Sequence, residues 1–145
     1  PPALDTIGLH PTLEAFCRDF AERTGIPIHY SGADSSQLPE PVTITLYRFV
    51  QEALTNVARH ARASRACVEF ERDGHAIRLS VTDNGRGFDL EAVTAPSARP
   101  QGMGLESMRE RLEALGGWLE VESAPGSGSR LTAHVPLEEL QLGID

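Results

Sequence analysis

Glu52, Asn56 and His60 recur every four residues, so on a helix they share one face. A carboxylate, an amide and an imidazole in a row offer chemistry that an apolar stripe does not. The amide oxygen of Asn56 suits a hard cation such as Mg²⁺, which keeps several waters and bridges substrate phosphates. Glu52 could orient or deprotonate an attacking group. A solvated helix face would present the same three residues, so the row alone leaves both possibilities open.

Three glycine-containing turns follow. In Asp83-Asn84-Gly85-Arg86-Gly87-Phe88, Asp83 closes an apolar run, and its carboxylate can accept a hydrogen bond from a donor such as an exocyclic amine. Gly85 and Gly87 let the backbone come close to a ligand. Gly102-Met103-Gly104-Leu105 opens a helical pattern, where exposed N–H groups attract phosphate. It is not a Walker loop, because no Gly-Lys-Ser/Thr follows. Gly126-Ser127-Gly128-Ser129 joins two strand patterns. Each of these, taken singly, is equally a plain turn or linker.

The elements that must position these residues are legible from periodicity. Pro11 to Thr24 predicts an amphipathic helix with Leu13, Phe16, Cys17 and Phe20 inside and Gly25 as its stop. Ile26 to Tyr30 predicts a short strand, and Ser31 to Pro41 a loop. Thr43 to Ala61 is the longest helical pattern, with an apolar face from Leu46 through Val57. Cys67–Glu71 and Ile77–Thr82 alternate as strands around an Asp73-Gly74 turn. Asp89 to Gly104 predicts a loop. Leu105 to Leu115 predicts a helix stopped by Gly116-Gly117, and Leu119–Ser123 and Leu131–Pro136 two more strands. Interleaved helices with hairpin-joined strands imply an α+β fold: a two-layer α/β sandwich, its mixed, mostly antiparallel sheet covered on one face by three helices.

Composition bounds the function. The 145 residues suit one domain, and 40% are hydrophobic and 23% charged. The net charge of −8 argues against nucleic acid as a partner. A local basic patch, Arg59, His60, Arg62 and Arg65, is either a solvated helix end or part of a site. Cys17 and Cys67 make neither a disulfide framework nor a metal site, which fits a reducing compartment. No apolar run approaches the roughly 20 residues of a membrane helix, and no secretory signal is visible. The chain starts at Pro1 without an initiator Met, so it is expected to be a piece of a longer protein.

The order of the four patterns is more specific than any one of them. Glu/Asn helix, Asp-x-Gly-x-Gly, Gly-x-Gly-Leu and Gly-x-Gly-Ser, running from about Leu46 to Leu137, resemble the N, G1, G2 and G3 boxes of the histidine kinase ATP-binding domain. That fold, the Bergerat type, is shared with DNA gyrase, the large heat-shock chaperone and mismatch-repair ATPases. The strings Glu52-Ala53-Leu54-Thr55-Asn56-Val57-Ala58-Arg59-His60-Ala61 and Gly102-Met103-Gly104-Leu105-Glu106-Ser107-Met108-Arg109-Glu110-Arg111 are similar to the nitrate-sensor branch of two-component kinases.

The resemblance implies a role for each matching residue. Asn56 would ligate a Mg²⁺ that bridges the ATP phosphates, and Asp83 would bond the adenine amino group. Gly85 and Gly87 would let the chain pass close to the nucleotide. Gly102, Met103, Gly104 and Leu105 would flank the lid and admit the phosphates. Arg59, where Lys is common, and His60 would face phosphate. Ser129, where the family has Thr, would keep a hydroxyl on the adenine side or toward water. Glu52 corresponds to the residue that prepares water in the ATPase relatives, whereas in many histidine kinases an acidic residue beside the acceptor is the base.

The implied organisation is a tail of a dimerisation region or linker over 1–10, an ATP-binding catalytic domain over 11–140 with a lid at about 89–103, and a C-terminal tail over 141–145. The implied partners are ATP, the dimerisation and histidine-phosphotransfer domain of the same parent, and a response regulator. The domain itself would be cytoplasmic and monomeric, on a parent that the branch often anchors in a membrane. The acceptor His of this branch precedes an acidic residue, but the five histidines here precede Pro11, Tyr30, Ala61, Ala76 and Val135. The chain alone is therefore expected not to autophosphorylate. Two alternatives share the fold: a protein serine kinase of the anti-sigma-factor type, and a non-catalytic ATP-binding module.

Overall fold

The computed structural model describes residues 2–94 and 104–137. Along the chain lie α1 (Pro2–Thr6), α2 (Leu9–Thr24), β1 (Ile28–Ser31), α3 (Glu40–Asn56) with a π-helical turn (Val57–Ala61), β2 (Ala66–Arg72) and β3 (Ala76–Asp83). They are followed by α4 (Leu90–Thr94), α5 (Leu105–Glu113), β4 (Trp118–Ser123) and β5 (Ser129–Pro136). The strands form one sheet in the order β1-β2-β3-β5-β4. Only β1 and β2 run parallel; the other three pairings are antiparallel. The expected mixed, mostly antiparallel sheet under helices is therefore what the chain forms.

Alternation along the strands decides which residues face the helices. Val68 and Phe70 of β2, Ile77, Leu79 and Val81 of β3, and Leu131, Ala133 and Val135 of β5 are buried on that face. Leu13, Cys17 and Phe20 of α2 pack into the same core with Leu46, Phe49, Val50, Ala53 and Leu54 of α3 and Met108 and Leu112 of α5. The opposite face carries the polar alternates, among them Glu71 and Arg78, which form a salt bridge of 3.1 Å. Cys17 is buried and free, and its burial, with Cys67 nearby, pushes its thiol up to about 12. Among the described residues, no helix is long and apolar enough to cross a membrane.

Four segments differ from the periodicity. The first ten residues carry no pattern, yet Pro2–Thr6 is helical and α2 begins at Leu9, because Leu4 and Leu9 join the core. The predicted loop to Pro41 ends early: α3 starts at Glu40, with Pro41 in its first turn, where a missing N–H is tolerated. The predicted loop after Asp89 contains α4. The long helix does not stay α-helical to Ala61, since its last turn widens into the π form.

The core prediction is direct. Leu46 is fully buried, so Leu46→Ala should cost about 3 kcal/mol. Urea unfolding followed by circular dichroism measures it.

Candidate nucleotide site

The site lies at the end of the sheet where β3 finishes and β5 begins. Register places Asp83 directly opposite Ser129, on the face that the helices cover. Asp83 is therefore a buried carboxylate, only 7% exposed. Its two oxygens are bonded differently. Oδ1 accepts the Gly85 N–H at 2.8 Å, and Oδ2 accepts the Ser129 hydroxyl at 2.5 Å. A carboxylate oxygen has more than one acceptor position, so both can still receive a ligand donor.

Asp83 and Ser129 form one wall of a cavity. Ala53, Val57, Ala61, Val81, Phe88 and Leu131 give it an apolar lining, and Asn56, His60 and Gly87 complete it. An apolar slot with few polar groups suits a flat heterocycle. Asn56 ends α3 and His60 lies in the π turn that follows, and both reach this wall. Asn56 also makes an interaction within the protein.

The end of that turn is held from the glycine-rich loop. The Arg86 backbone N–H donates to the Ala61 carbonyl at 2.7 Å, and Arg86 Nε donates to the His60 carbonyl at 2.6 Å. These are carbonyls that a helix end leaves without intrahelical partners. The carbonyl of Arg86 in turn accepts the Gly126 N–H at 2.6 Å, which ties the last hairpin to the same point. Asn84 Oδ1 accepts the backbone N–H groups of Ser64 and Arg65 at 3.0 and 3.1 Å.

Glycine is required here by close approach. A Cβ on Gly85 would stand 2.1 Å from the Ala61 carbonyl oxygen, and one on Gly128 would stand 2.2 Å from that of Asp83.

Of the residues singled out in the sequence, Asn56, His60, Asp83, Gly87 and Ser129 meet at this cavity. Gly85 supports it through Asp83. Arg59, with Arg62 and Arg65, is exposed. Glu52 is on the same helix but not on the cavity wall. Its carboxylate bonds to Arg111 of α5. Gly104 precedes α5 in the left-handed region at φ 71°, next to a half-buried Leu105. Gly102 and Met103, and the lid beyond Thr94, lie outside the described residues. Among the described residues there is no cluster of three His, Cys, Asp or Glu side chains fit to hold a metal.

Periodicity missed the parts played by Arg86 and Arg111. Arg86 had one available signal, its position between two glycines of a turn. Arg111 had none, because its partner lies 59 residues away.

The five-stranded mixed sheet, covered by helices, thus ends in an Asp-bearing cavity beside α3. The family described as Histidine kinase-, DNA gyrase B-, and HSP90-like ATPase matches residues 42–139, and the chain belongs to it. It is 42% identical to the sensor histidine kinase MctS of Rhizobium johnstonii over 94% of this chain and 29% of that protein. It is 36% identical to the sensor histidine kinase LiaS of Bacillus subtilis over 94% of this chain and 36% of that protein. The chain thus spans about a third of the length of these relatives. In fold it is similar to a blue-light activated histidine kinase of Erythrobacter litoralis, with a TM-score of 0.75 at 23% identity. That likeness covers 92% of this chain and 43% of the other. It is also similar to the histidine kinase AdeS of Acinetobacter baumannii, with a TM-score of 0.67 at 18% identity over 86% of this chain and 60% of that one.

Gly85→Ala should cost about 1–3 kcal/mol, because the new methyl meets a backbone carbonyl that cannot swing aside. Gly74→Ala, with nothing within 4 Å of its Cβ position, should change stability by less than about 0.5 kcal/mol. Denaturant midpoints of the two variants check the contrast.

Proposed function

We propose that this chain is the catalytic module of a two-component sensor histidine kinase. It would transfer the γ-phosphoryl group of ATP to a histidine on a dimerisation domain, for relay to a response regulator. The observation that carries this is the Asp83–Ser129 pair at the base of an apolar slot beside Asn56 and His60. The relatives named as sensor histidine kinases support it.

Each residue has a role in this account. Asp83 accepts a hydrogen bond from the adenine amino group. Ser129 aims the carboxylate by donating to one oxygen, the Gly85 N–H donates to the other, and Gly87 lines the slot. Asn56 would supply its amide oxygen to Mg²⁺, an ion that would neutralise phosphate charge. Arg59 and His60 would meet the phosphates from the end of the helix, and by the resemblance Gly102, Met103, Gly104 and Leu105 would admit them. Phosphoryl transfer is mostly positioning and charge neutralisation, so these residues need only hold the phosphates in line with the acceptor. The domain would occupy residues 11–140, on the cytoplasmic side of its parent. The wording of the Glu52–Ala61 and Gly102–Arg111 strings supports the nitrate-sensor-like branch.

Two substitutions probe opposite ends of the site. Asp83→Asn puts a donor in the path of the adenine amine, so ATP affinity by calorimetry should fall roughly ten- to hundredfold. Unaltered affinity would remove Asp83 from the adenine contact. Asn56→Ala should abolish the difference in ATP affinity with and without Mg²⁺; a difference as large as that of the wild type would refute the metal assignment. For the reaction, labelled ATP and a supplied acceptor domain should yield an acid-labile phosphoprotein. An acid-stable product would point instead to the serine kinase alternative, and no product to a binding module.

A further inference from the structure

Glu52 shares a helix face with Asn56 and His60, yet it does not line their cavity. Its Oε1 accepts from Arg111 Nη1. Its Oε2 lies against Gly104, whose Cβ would stand 3.3 Å from it. Gly104 and Arg111 are seven residues apart, about two turns along one face of α5. The carboxylate thus lies along the helix that follows the lid, with one oxygen committed to a guanidinium. The two side chains are 33% and 38% exposed, and a pair so open to water contributes little to stability. What it does fix is direction. A base must lie within hydrogen-bond reach of the proton it removes.

We propose that Arg111 is a positioning residue that restrains Glu52 from activating water, and so keeps the phosphoryl group of ATP for a protein acceptor. The proposal rests on the nucleotide assignment of the cavity. In the restrained step, a water oxygen attacks the γ-phosphorus while the bond to the β-bridging oxygen breaks. ADP leaves with that electron pair, and the water proton passes to the Glu52 carboxylate, giving inorganic phosphate. Glu52 stands one helical turn before Asn56, so release from Arg111 frees a carboxylate on that face.

The test measures ATP affinity by calorimetry and inorganic phosphate release for the wild type, Arg111→Met and Arg111→Gln, with circular dichroism to establish folding. Both uncharged variants should raise kcat for phosphate release about tenfold, with KM little changed. Adding Glu52→Gln to Arg111→Met should return release to the wild-type rate, and Arg111→Lys should keep it low. A purely structural ion pair would lower the melting temperature and leave kcat alone. Wild-type chain that fails to bind ATP overturns the nucleotide assignment and this proposal together. ATP binding with unchanged or slower release in the uncharged variants overturns the proposal alone, as does a rise that survives Glu52→Gln.

Discussion

Asp83 stands on the covered face of the sheet, where a carboxylate is costly unless its oxygens are bonded. The Gly85 N–H and the Ser129 hydroxyl meet that demand. The first is local to the turn, and the second depends on register. Strand side chains alternate, so a slip of one residue between β3 and β5 would turn Ser129 to the outer face and leave Asp83 without its neighbour. The hydrophobic alternation of Val81, Leu79 and Ile77 against Leu131, Ala133 and Val135 fixes that register. The core and the site are therefore not separable. Burial of the apolar residues sets where Asp83, the one buried acidic group among the described residues, points.

Backbone proximity is the second constraint. Three turns from distant parts of the chain converge on the same corner. Gly85 abuts the Ala61 carbonyl, Gly87 that of Ala124, and Gly128 that of Asp83. No side chain fits at these contacts, so the convergence is encoded by the absence of Cβ atoms. The space saved lets the Arg86 backbone and guanidinium reach the end of the helix.

Much of this was legible in the sequence, for identifiable reasons. The apolar stripe of α3 and the alternation of β2, β3 and β5 are strong local signals, and they placed Asn56, His60 and Asp83 correctly on their elements. Local signals could not show that Glu52 would leave the row for Arg111, because an ion pair between helices depends on tertiary packing. The same holds for the helical start at Leu9, where two leucines find a core that the first ten residues do not announce. The π turn also escaped periodicity. The apolar spacing through Val57 and Ala61 fits an ordinary helix, and the feature that accompanies the change of winding, Arg86, comes 25 residues beyond Ala61. Ser129 was expected to bond adenine-side groups or water, and its hydroxyl donates to Asp83, a bond between strands that local signals do not specify.

The cap on that π turn has a consequence for how the chain assembles. A helix end closed by a residue of its own next turn can form as soon as the helix does. This one is closed by Arg86, which reaches its place only after β2 and β3 have paired. Arg86 is in turn gripped by the final hairpin through Gly126. Contacts of such long sequence separation form late, because loop closure must precede them. The binding corner is thus among the last parts to become native, because the Ser129 bond to Asp83 and the Gly126 grip on Arg86 both wait for the end of the chain to pair.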